Sequence, residues 1–252
     1  PRSTPLYSSA ASDVYKRQGV YLITLNRPKV LNSLNKEIID ELLEVFDKAY
    51  SDQSIRTVVL TGEGRGFCSG ADLAGGGWPS DPNWSPGEST ANAMEIGFNP
   101  LVRKIVNCPK PVIAQISGIA TAAGCQLVAT CDLAYASSSA KFATPGVNLG
   151  LFCSTPMVAL TRAVKNKHAM EMLLTGDMVD SKRAEQIGLI NFSCTEKVLS
   201  DEVNKLAKKY KYYSIGGLSI SPNNKILAFS FKLLYEFIKA RSEGLTLYFD
   251  GI

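Results

Sequence analysis

Two short stretches hold the residues best suited to chemistry: GFCSGADL at 66–73 and AAGCQL at 122–127. Each is a small-residue turn that follows an apolar strand-like run (57–60 and 111–116) and precedes a helix-compatible segment. Two such turns side by side can aim two backbone N–H groups at one point, an arrangement that stabilises negative charge developing on a carbonyl oxygen. Only main-chain donors are needed, so side chains are not required for that. A plainer reading is that each turn simply joins a strand to a helix. Cys153 and Ser154 in FCSTP offer a thiol and a hydroxyl, but no histidine neighbours them, and the single histidine, His168, reads as a helix-surface residue, so a nucleophile–base dyad is not expected.

The elements that would position these turns are legible. Val20–Leu25 alternates like a strand, and Asn35 can cap a helix over 36–50 whose apolar residues Ile38, Leu42, Val45, Phe46 and Ala49 form one stripe. Further helical patterns fall at 91–107, 124–130, 157–163, 167–174 and Ser181–Ile187, the last stopped by Gly188. Strands alternating with helices argue for a right-handed βαβ build and an α/β layer architecture. The segment 74–90, rich in glycine, proline and serine, contains both tryptophans. It reads either as a mobile closure beside the first turn or as a surface loop whose tryptophans cover a neighbouring helix.

Composition narrows the classes. At 252 residues the chain can bury a substantial core, and a net charge of +4 from 27 basic and 23 acidic residues is too small to imply nucleic acid. No apolar run reaches membrane-spanning length. The six cysteines show no C-x-x-C spacing and lack histidines for a zinc site, which fits a reducing intracellular compartment. Residues 1–18 lack a secretory h-region and read as an adaptor scar or leader, outside the fold. The core domain is expected over 19–196 and a helical C-terminal region over 197–252.

The two turns, together with LNRPKVLNSL at 25–34 and CDLA at 131–134, resemble the crotonase family of enoyl-CoA hydratases and isomerases over about residues 19–209. The resemblance implies a crotonase-like (ClpP/crotonase) α/β fold of repeated ββα units with a helical C-terminal region. It implies an acyl-CoA thioester as ligand, with Ala71 and Ala123 supplying the oxyanion-hole amides. Lys29, Val30, Leu31, Ser69, Gly70, Ala71, Asp72, Leu73 and Gly124 would line the substrate and CoA site, with Lys29 either meeting a phosphate or remaining a solvated surface lysine. It further implies no metal, no cofactor beyond the coenzyme A of the substrate, and a homo-oligomer, trimer or hexamer, in the cytoplasm of a bacterium or the mitochondrial matrix of a eukaryote.

The departures are as informative. Two glutamates of the hydratases fall on Gln126 and Gly146, and the carboxylate of several isomerases falls on Ser154, so the family acids are absent. An amide cannot exchange a proton near neutral pH, so weak hydration is expected, and glutamates at 126 and 146 together should restore it. Residues 120–156 are most similar to a branch of the family that lacks the same glutamates. Three functions remain open: a lyase or isomerase using another acid (Asp81, Glu88 or Glu95, or a bound water), an acyl-CoA-binding or regulatory homologue, and an RNA-binding relative, suggested only by the basic run 205–211. Asp72 and Asp132 read as structural, Asp72 as a helix cap. After about residue 210 the family pattern stops.

Overall fold

The structure, a computed structural model, describes residues 7–8, 12–17, 19–72, 77–79 and 81–209, with the backbone alone described at 7–8 and 12–17. The expected tail after 210 and Leu73 lie outside the described residues. Eleven strands are described: β1 (Tyr7–Ser8), β2 (Ser12–Arg17), β3 (Val20–Leu25), β4 (Thr57–Gly62), β5 (Gly66–Cys68), β6 (Val112–Ile116), β7 (Ile119–Thr121), β8 (Leu133–Ser137), β9 (Lys141–Ala143), β10 (Val179–Asp180) and β11 (Phe192–Cys194). The helices are α1 (Lys36–Ser51), α2 (Pro86–Ala93), α3 (Asn99–Asn107), α4 (Ala123–Thr130), α5 (Ser154–Ala163), α6 (Asn166–Thr175), α7 (Ser181–Ile187) and α8 (Glu196–Lys209).

The large sheet runs β1-β2-β3-β4-β6-β8-β11 and the small one β10-β9-β7-β5. From β3 to β11 neighbours in the large sheet are parallel, and β5, β7 and β9 are parallel in the small sheet. Successive strands therefore change sheet, β4 to β5, β6 to β7 and β8 to β9, and each pair is followed by helix. This is a crotonase-type α/β fold of repeated ββα units. The simple strand–helix alternation expected from the pattern misses the second strand of each unit, because three-residue strands such as GFC and IAT are too short to show a period. Strand β2, in the segment set aside as a leader, pairs antiparallel with β3.

The burial follows from the sequence. β4 is buried on both faces, as a central parallel strand should be, and reads as an unbroken TVVL run. Helix α1 buries Ile38, Ile39, Leu42, Val45, Phe46 and Ala49, and the Asn35 side chain accepts a hydrogen bond from the Ile38 amide at 3.0 Å. On another face of the large sheet α8 buries Leu199, Val203 and Ala207 against Val20, Val59 and Ile113, leaving Lys205, Lys208 and Lys209 exposed.

The helix expected over 91–107 begins earlier and is interrupted. Ser85 and Glu88 form a reciprocal capping box that starts α2 at Pro86, inside the segment read as a loop. A π-helical turn, Met94–Phe98, then links α2 to α3. Pro100, which has no N–H to give to an i−4 carbonyl, accounts for the wider turn: the Asn99 amide reaches back five residues to the Met94 carbonyl. Trp78 packs on this bend, its ring 5.3 Å from that of Phe98 and its edge over Gly97, so this tryptophan covers the neighbouring helix.

Candidate active site

The first turn leaves β5 and meets Leu34 in an isolated parallel bridge with Ala71. Leu34 donates to the Gly70 carbonyl at 2.7 Å and accepts from the Asp72 amide at 2.9 Å. In such a bridge the flanking residues make the bonds, so the Ala71 N–H points away from Leu34. The second turn leaves β7 and enters α4 through Ala122, at φ +50° and ψ −118°, a conformation costly for a residue with a Cβ. The turns touch: Gly70, at φ +109°, lies where a Cβ would stand 2.9 Å from the Ala122 Cβ and 3.5 Å from the Ala123 nitrogen. Thr121 Oγ1 donates to the Ser69 carbonyl at 3.0 Å, and Gly124 lets α4 abut the Cys68 carbonyl. Among the described residues neither the Ala71 nor the Ala123 amide donates a hydrogen bond. The Ala123 amide also belongs to the positive end of α4.

The loop expected to meet CoA is tied to the first turn. Pro28–Val30 forms a 3-10 turn, and the Ser69 amide donates to the Leu31 carbonyl at 3.0 Å. Leu31 and Asn32 both have positive φ, 53° and 55°. Lys29 and Val30 are exposed. The loop is held by two residues that motif reading passed over. Fully buried Asn32 accepts from the Arg27 amide at 2.8 Å and donates to the Glu63 and Gly66 carbonyls at 3.0 and 2.7 Å. Arg27 bonds the Ser33 carbonyl at 2.6 Å and Asp72 at 2.9 Å. Asp72 is thus an ion-pair partner of Arg27, a structural role, and residues 73–76, where a helix it could cap would begin, lie outside the described residues. A buried-type asparagine inside an apolar stretch, beside an arginine, was the available signal.

Of the positions where the family acids fall, two come together and one does not. Gln126 and Ser154 line one groove of about 520 Å³ between α3, α4 and α5. Gly146 is walled in: a Cβ there would stand 2.6 Å from the Leu151 carbonyl oxygen and 2.7 Å from Cys153 Sγ. The expectation that glutamates at 126 and 146 restore hydration is therefore corrected on steric grounds, since the second side chain has no room.

Residues 15–216 match the enoyl-CoA hydratase/isomerase family. The chain belongs to that family. It is 37% identical to rat mitochondrial enoyl-CoA hydratase domain-containing protein 3 over 83% of this chain and 66% of that protein, so it spans about two thirds of that relative's length. A crystal structure of enoyl-CoA hydratase from Mycobacterium smegmatis superimposes with a TM-score of 0.73 at 40% identity, covering 81% of this chain and 77% of the other. The crystal structure of human enoyl-CoA hydratase domain-containing protein 3 gives 0.75 at 30% identity, covering 94% and 99%. The branch that residues 120–156 resemble is that of enoyl-CoA hydratase domain-containing protein 3.

Other reactive groups of this family member are engaged elsewhere. Burial pushes the Cys125 thiol up to about 12, with the neighbouring Cys153 thiol adding to the effect, and burial pushes Cys68 up to about 12 against a lowering hydrogen bond from Gly70. His168 lies on α6 beside Arg183 and Glu171, 3.3 and 3.7 Å away. Asp132 accepts from the Val112 amide at 2.9 Å, as a structural residue would. Of the candidate acids, Glu88 is committed to the Ser85 cap, whose hydrogen bonds lower its pKa, and Asp81 accepts from the Asn83 amide. Neither they nor Glu95 lines the groove.

Proposed function

We propose that the chain binds an acyl-CoA thioester and polarises its carbonyl with the amides of Ala71 and Ala123. The observation that supports this reading is that Gly70 lies against Ala122 and Ala123, so the turns carrying the Ala71 and Ala123 amides abut, and neither amide donates a hydrogen bond among the described residues. Preorganised donors cost no reorganisation as charge develops, and removing one from such a pair typically costs about 3–4 kcal/mol of barrier. Enolate stabilisation is the shared requirement of lyases and isomerases of this type. The family membership and the names of the relatives support the ligand class, and the mitochondrial name of the rat relative supports a mitochondrial compartment.

Hydration is slow in this account. Gln126 cannot exchange a proton near neutral pH, Gly146 carries no side chain, and each missing acid or base typically costs about 10²–10⁴-fold. The same observation favours a second reading, a binder or regulator with little turnover. Calorimetry and turnover on one preparation test both: a medium-chain acyl-CoA should bind more tightly than free CoA, with crotonyl-CoA hydrated weakly or not at all. Absence of binding of either ligand at millimolar concentration overturns the proposal, and rapid hydration overturns the account of the missing acids.

A further inference from the structure

The groove that Gln126 lines has an unusual wall for an acyl site. Arg103 from α3 and Arg162 from α5 both line it, and its lining residues include no aspartate or glutamate. Both arginines are exposed, and neither has a hydrogen bond or ion pair among the described residues. Gln126, also in the lining, is only 5% exposed, and its carboxamide has no hydrogen-bond partner among the described residues. Its amide atoms are open to the groove rather than sealed in the core, so its two donors and one acceptor can meet a polar group that enters. Asn99 and Thr155 add further polar lining. The apolar lining residues Val102, Val106, Ala129, Val158 and Ala159 suit an aliphatic chain, but a methyl end set against the guanidinium groups would desolvate them without a partner.

We infer that the groove takes an acyl group ending in a carboxylate, the mono-CoA thioester of a dicarboxylic acid, with Arg103 and Arg162 holding the free carboxylate. This rests on the acyl-CoA reading above and names its substrate class. Along α4, Ala123 lies about 10 Å of helix from Thr130, which lines the groove, a length comparable to an extended chain of about eight carbons. Guanidinium groups match a carboxylate with parallel, charge-assisted hydrogen bonds, whereas a methyl terminus offers them none. Gln126 then bonds a carbonyl or hydroxyl nearer the thioester.

The test is calorimetry on the intact protein with four probes: the mono-CoA thioester of octanedioic acid, its ω-methyl ester, octanoyl-CoA and free CoA. The dicarboxylic probe should bind at least about tenfold more tightly than octanoyl-CoA or the ester, the scale of one charge-assisted bond. Arg103→Met and Arg162→Met, changes at exposed positions, should each remove most of that preference and leave free CoA binding unchanged. Equal or tighter binding of octanoyl-CoA, or a preference that survives both substitutions, overturns this inference while leaving the acyl-CoA reading standing. Failure of all four probes to bind overturns both.

Discussion

The Cα of Gly146 is set so close to Cys153 that a Cβ would stand 2.7 Å from the sulfur, and the Leu151 carbonyl closes the other side at 2.6 Å. Gly146→Ala should destabilise the fold by about 1–3 kcal/mol, and Gly146→Glu by more, because the chain must move aside. Removing the sulfur with Cys153→Ala relieves only part of this, since the Leu151 obstacle is main chain. Chemical denaturation checks it. A Gly146→Glu protein as stable as the parent would show that the loop yields freely.

Gly70 and Ala122 pull in opposite directions. At φ +109° and against the Ala122 Cβ, Gly70 should not tolerate a methyl group: Gly70→Ala should cost about 2–4 kcal/mol and weaken acyl-CoA binding. Ala122 sits at φ +50° and ψ −118°, so Ala122→Gly relieves strain and should stabilise by about 1 kcal/mol, or about 2–4 °C in melting temperature, after the unfolded-state entropy is subtracted. A lower melting temperature for Ala122→Gly would contradict the strain argument.

Asn32 is the knot of the loop that carries Lys29 to Leu31. Asn32→Ala leaves the Arg27 amide and the Gly66 carbonyl without this partner and should cost about 2–4 kcal/mol. Asn32→Asp should fare no better, because a carboxylate cannot donate to the two carbonyls. Parental stability for either variant in urea unfolding would remove Asn32 from this role.

The buried thiols set an alkaline limit. Cys68 and Cys125 are pushed from about 9 up to about 12 by burial. A folded-state pKa above the unfolded value gives stability that is full below the unfolded pKa and is lost as pH rises toward the folded one. Unfolding free energy should therefore be flat in these groups below pH about 8. It should then fall by up to about 1.4 kcal/mol per pH unit for each thiol between roughly pH 9 and 12. Cys125→Ala should show a shallower fall over that window, and an unchanged slope would contradict the assignment.

The sequence exposes long, periodic elements and short motifs of small residues for different reasons. Helix α1 and strand β3 emerge with their caps and stripes because one face of each meets the core over several residues. The strands of the small sheet are three residues long or less and register only once their neighbours are known. The turns at 66–73 and 122–127 are legible as chemistry because main-chain donors need only small residues around them. That Gly146 has no space, that Asn32 and Arg27 hold the loop, and that Arg103 and Arg162 face one groove from separate helices are long-range facts with no local pattern.

The central claim is that two amides polarise the thioester carbonyl, and it is tested most directly without turnover. An acyl-CoA labelled with ¹³C at the thioester carbonyl should show its infrared carbonyl band shifted to lower frequency on binding, and Gly70→Ala should reduce that shift in whatever fraction stays folded. A bound ligand whose carbonyl band stays at its solution frequency would contradict the account.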